Sequence, residues 1–142
     1  MDHFLISDAL SQVSHLRLAE FRGDDDAVCR LLAEFEAGGS DLDALWACLP
    51  ASRDLQDVAD LLTLWSWRGT DNGAKVMRSL EAWVRECSNE DKIWVALHQD
   101  AYPFVDHTTR IARLQEVAAS LPSLRGRCEE MIAQSEQWLR KD

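Results

Sequence analysis

No segment of this 142-residue chain approaches the roughly 20 consecutive apolar residues that a membrane-spanning helix needs. Apolar runs such as Ile93–Leu97 stop far short of it. The opening Met1-Asp2-His3 lacks the basic residues that begin a secretory leader, so a cytoplasmic protein is expected. Proline (3) and glycine (6) are scarce, which leaves few forced breaks and does not fit a flexible linker or a disordered chain. The four cysteines, Cys29, Cys48, Cys87 and Cys128, contain no C-x-x-C pair, which excludes a zinc ribbon and a thioredoxin-type motif. Each falls in a different predicted helix and is expected to be a reduced, packed thiol.

Catalytic and cofactor signatures are equally missing. The chain has no H-E-x-x-H metal pair, no G-x-S-x-G nucleophile elbow, and neither of the glycine-rich loops that cradle phosphates. No cofactor is expected. Basic residues are in short supply as well: 15 Lys and Arg stand against 25 Asp and Glu, a net charge of −10. The imbalance lies toward the start, since residues 1–67 hold 13 acids and 4 bases. Such a surface repels phosphate backbones and anionic lipid, so direct nucleic-acid or membrane binding is disfavoured and a basic protein partner is favoured.

What is present is a 3.6-residue apolar rhythm along nearly the whole chain, while sustained period-two alternation is lacking. The expectation is an all-α fold, a compact bundle or stacked helical hairpins of about eight helices with no sheet, in a single domain over residues 1–142. The first helix is read from Ser7 to Arg22, ending at Gly23, and the next opens at Asp24-Asp25-Asp26, whose carboxylates suit a helix N-terminus. A short helix follows Ser40 and ends near Pro50. A longer one, Ser52 to Arg68, carries Leu55, Val58, Leu61, Leu62 and Trp65 and stops at Gly69. Thr70-Asp71-Asn72-Gly73 reads as a turn, followed by the stripe Val76, Leu80, Trp83, Val84 and Cys87. Later helices start near Ser88, after Pro103 with His107, Ile111 and Leu114 along it, and at about Ser123 after Pro122. No residue signature recurs at the fixed period of a helical repeat array.

Two constellations invite a functional reading. The first is His98, Asp100, Asp106 and His107, imidazoles and carboxylates around Pro103 that supply weak candidates for a metal site or for acid–base chemistry. Their spacing matches no metal motif, and ordinary loop or capping roles for the acids and helix-end positions for the histidines account for them better. The second involves the tryptophans. Trp46, Trp65, Trp83 and Trp138 fall on apolar stripes, and Trp94 adjoins one. Trp67 does not, because steps of about 100° per residue place it with Asp57, Asp60 and Leu64, away from Trp65. That face joins an aromatic anchor to carboxylates and is the expected partner-binding site. Its alternative is burial of Leu64 and Trp67 under a neighbouring helix.

The function these features suggest is a non-enzymatic protein-binding module, in concrete form an inhibitor or immunity-type protein that covers the cationic surface of a toxin or nuclease. Two alternatives are a small metal-dependent or small-molecule enzyme built on the His98 group, and a structural or adaptor subunit that associates with copies of itself.

Overall fold

The computed structural model describes residues 2–39, 41–71, 73–99 and 109–140. Among them the chain is all-helical, with eight α-helices and no strand. They are α1 (His3–Leu18), α2 (Asp26–Ala37), α3 (Leu42–Cys48), α4 (Leu55–Arg68), α5 (Ala74–Glu86), α6 (Glu90–Leu97), α7 (Arg110–Ser120) and α8 (Arg125–Arg140). No helix among the described residues is long and apolar enough to cross a membrane. The chain divides into two compact units, Met1–Ser79 and Leu80–Asp142.

In the first unit aspartate sets most helix starts, because a carboxylate both accepts orphan N–H groups and opposes the positive end of the helix dipole. Asp2 accepts from the N–H groups of Phe4 and Leu5, so α1 begins four residues earlier than the apolar pattern suggests. Asp41 and Asp54 cap α3 and α4 in the same way. α1 also ends earlier than Gly23. The Phe21 N–H reaches back to the Leu16 carbonyl, with Glu20 and Phe21 at φ of 56° and 61°, so two non-glycine residues take the left-handed turn expected of the glycine.

The core of this unit forms where α1 and α2 pair as a hairpin and α4 packs on both. Ile6, Ala9 and Val13 of α1, Val28 and Leu31 of α2, and Ala59, Leu61, Leu62 and Trp65 of α4 are sealed from solvent. Trp65 is the largest of them. Its indole N–H donates to the Val28 carbonyl at 3.2 Å, and its ring lies 4.7 Å from that of Phe35. A buried indole is stable only if that N–H is satisfied, and a helix carbonyl has a spare lone pair to offer.

In the second unit α7 and α8 form an antiparallel pair joined through a 3₁₀ turn at Pro122–Leu124. Asn89, rather than the expected Ser88, caps α6 by accepting from the Lys92 N–H. At the other end of α6 the Arg127 guanidinium donates to the Leu97 carbonyl at 2.9 Å. The cysteines depart from the expected uniform burial: Cys29 is exposed, Cys48 and Cys87 are half-buried, and Cys128 alone is buried. All four are free.

Burial pushes the Cys128 thiol up to about 11. The folded state therefore holds its proton where the unfolded chain, with a thiol near its ordinary value of about 8.5, releases it. Stability from this group is complete below the unfolded value and is lost as pH rises toward the folded one. Denaturant midpoints are expected to fall between about pH 9 and pH 11 in wild type, and to fall less steeply over that window in Cys128→Ala, which has no thiol to ionise.

Candidate functional site

α4 distributes its side chains between two opposed environments. Val58, Leu61, Leu62 and Trp65 enter the core, while the face carrying Asp57, Asp60 and Trp67 turns away from it. Leu64 divides from its sequence-predicted companions: at 7% exposure it belongs to the packed side, whereas Trp67, 77% exposed, projects into solvent. The two acids are half-buried and share one cation. Arg17 of α1 places Nη2 at 2.7 Å from Asp57 Oδ1 and Nε at 2.6 Å from Asp60 Oδ2. Gln56 adds a bond from Nε2 to Asp60 Oδ1 at 3.0 Å.

This clamp changes what the face can do. One guanidinium holds two carboxylates in fixed rotamers, and the three groups together carry a single negative charge. Burial opposes the charge on Arg17, but the hydrogen bonds and attraction from Asp60 and Asp57 outweigh it, so its pKa lies above the ordinary arginine value. The arrangement therefore offers a rigid platform with Trp67 at one end, and not a pair of free carboxylates. Asp60 and Trp67 are seven residues apart, which sets them nearly in line along the helix about 10 Å apart.

At the same end of α4, Arg68 pairs with Asp25, the residue that precedes α2. The expected acidic start of α2 is thus divided among three tasks. Asp24 accepts from the Asp26 N–H, Asp25 binds Arg68, and Asp26 pairs with Arg30. Beside Asp25 the exposed Cys29 has its thiol pKa raised, first by partial burial and then by that carboxylate, with Arg68 opposing. It is a poorly activated thiol.

Among the described residues the exposed large apolar side chains are Phe4, Leu18, Phe21 and Trp67. An open groove of about 580 Å³ runs between α1 and α2, lined by residues of both charge signs including Asp8, His15, Arg22, Asp24 and Arg30. Its mixed lining selects no single ligand chemistry.

Of the metal candidates only His98 lies among the described residues; Asp100, Asp106 and His107 lie outside them. The His98 ring is stacked on Trp94 with centroids 3.8 Å apart, and its Nδ1 is 2.7 Å from the Trp94 carbonyl. Because a carbonyl only accepts, Nδ1 carries the proton in that bond. Among the described residues no group of three or more His, Cys, Asp or Glu is arranged to hold a metal ion.

Arg17 is the member of this candidate site that the linear pattern does not reveal. It is 40 and 43 positions from its partners, and no local spacing announces the contact. The one available signal is that it is the first Lys or Arg of the chain. Compared with protein-family models, with curated proteins and with solved structures, the chain shows no significant match.

Replacing Arg17 with Met keeps the aliphatic stem and leaves Asp57 and Asp60 without their cation. With Arg17 about one-third exposed and the two carboxylates more buried, urea unfolding is expected to show a loss of about 1–2 kcal/mol. Adding Asp57→Asn and Asp60→Asn to that variant is expected to restore part of the loss, because the carboxylates no longer repel each other.

Proposed function

We propose that this chain is a non-enzymatic protein-binding module that docks a basic protein through a surface centred on Trp67. The observation that carries the reading is the 77% exposure of Trp67 on a helix held in place by the Arg17 clamp and the buried Trp65. A large indole on a fixed helix turn loses little conformational freedom on binding, which is what interface hot spots exploit. Charge selects the kind of partner. Between residues 1 and 79 there are 14 acids and 7 bases, and the whole chain carries −10, so a second copy is repelled while a cationic protein is attracted.

The concrete form of the proposal is an inhibitor or immunity-type protein that neutralises a toxin or nuclease by covering its cationic working surface. Long-range attraction brings the partner in, and burial of Trp67 then sets how long it stays. The Asp57–Arg17–Asp60 network contributes rigidity and one net negative charge.

The test is capture of the partner from native cell extract, followed by binding measurements on the purified pair. A basic protein is expected, with Trp67→Ala weakening its affinity by about 30-fold or more. Its association rate is expected to fall at least about tenfold as salt rises from low to physiological strength. Equal affinity of wild type and Trp67→Ala, or a rate indifferent to salt, contradicts the proposal.

A further inference from the structure

An indole face carries the negative lobe of the ring quadrupole, so it attracts cations and the edges of other rings. Trp46, Trp65, Trp83 and Trp94 have that attraction answered within the chain. Arg53 lies over the Trp46 ring at 4.5 Å from its centroid, and Lys92 lies over Trp83 at 5.2 Å. The His98 ring stacks on Trp94, and Phe35 packs against Trp65. Trp67 is the exception: it is exposed, and among the described residues no cation or ring lies against it.

The bases closest to Trp67 in sequence and on its face of α4 are committed elsewhere. Arg68, the next residue, pairs with Asp25, and Arg17 is held between Asp57 and Asp60. Drawing either over the indole would break an ion pair and gain a contact of similar strength, so the ring stays open to a cation from outside. Charge favours such a visitor, because residues 1–79 hold 14 acids and 7 bases.

Of the two side-chain cations that stay charged at neutral pH, a guanidinium fits an exposed ring better than an ammonium. It is planar and lies face to face on the indole, and it sheds water more readily than the compact, strongly hydrated charge of a lysine. We propose that the Trp67 indole face is the seat of an arginine side chain of the basic partner. The inference rests on the docking reading given above and names the group that Trp67 receives. An apolar pocket closing over the ring is the rival arrangement, and the two respond oppositely to a change in the ring's electron density.

The probe is a hexa-arginine peptide blocked at both ends, with hexalysine of equal charge as its control. Each is added to the whole protein at low salt while the Trp67 indole N–H signal is followed by NMR. Hexa-arginine is expected to shift that signal saturably and to bind at least about threefold more tightly than hexalysine. Site-specific replacement of Trp67 by tetrafluorotryptophan keeps the shape and apolar area of the ring but drains its face of electron density. Because the ring is exposed, the core is left untouched. The replacement is expected to weaken hexa-arginine binding about two- to fivefold, whereas a purely apolar contact would hold or strengthen. No saturable shift of the Trp67 signal up to about 5 mM peptide, equal affinity for the two peptides, or undiminished binding by the fluorinated protein overturns the arginine seat. Each of those results is compatible with loss of partner affinity in Trp67→Ala, so the docking reading and the arginine seat fail separately.

Discussion

The first unit depends on how α4 is fixed, and two contacts of unlike chemistry share that task. On its inner side Trp65 fills the space against α2, with its indole N–H answered by the Val28 carbonyl. On its outer side Arg17 ties two turns of the helix to α1 through Asp57 and Asp60. Burial supplies most of the stabilisation, since the apolar area of a tryptophan outweighs what a partly exposed ion pair contributes. The clamp supplies direction, because its paired bonds form at one rotation of α4 against α1. With the rotation set, the helix period carries Trp67 about 200° around from Trp65 and into solvent.

In the proposed function, charge selects among partners for this geometry. Intramolecular pairs, including Arg17 with Asp57 and Asp60, Arg68 with Asp25, and Arg30 with Asp26, engage bases of a unit that has few. The surplus acids set a negative field that salt screens over about 10 Å. On the proposed reading, an exposed aromatic within such a field favours a cationic surface over a second copy of the chain. Selectivity of this kind needs no dense array of specific contacts, which suits a surface whose strongest polar network is already satisfied internally.

The helices were legible because their causes are local. The apolar stripes of α2, α4 and α5 appear directly in the spacing of Val28, Leu31 and Phe35, of Val58, Leu62 and Trp65, and of Val76, Leu80 and Trp83. Helix ends were less legible where competing signals lay near one another. Asp2 captures the start of α1 ahead of the apolar pattern, and the turn at Glu20 and Phe21 ends it ahead of Gly23. The site was legible only in part. The helix period alone distinguishes Trp67 from Trp65. The pairing of Asp57 and Asp60 with Arg17 joins residues tens of positions apart, so it arises only when the helices pack.

The outward position of Trp67 underlies the whole functional account, and exchange of its indole N–H with solvent, followed by NMR and assigned with single Trp→Phe variants, measures it directly. The account predicts that the Trp67 indole exchanges nearly as fast as in an unstructured peptide while the Trp65 indole, bonded to the Val28 carbonyl, is strongly protected. Protection of Trp67 comparable to that of Trp65 would mean that this face of α4 is covered in the free protein, and would contradict the account.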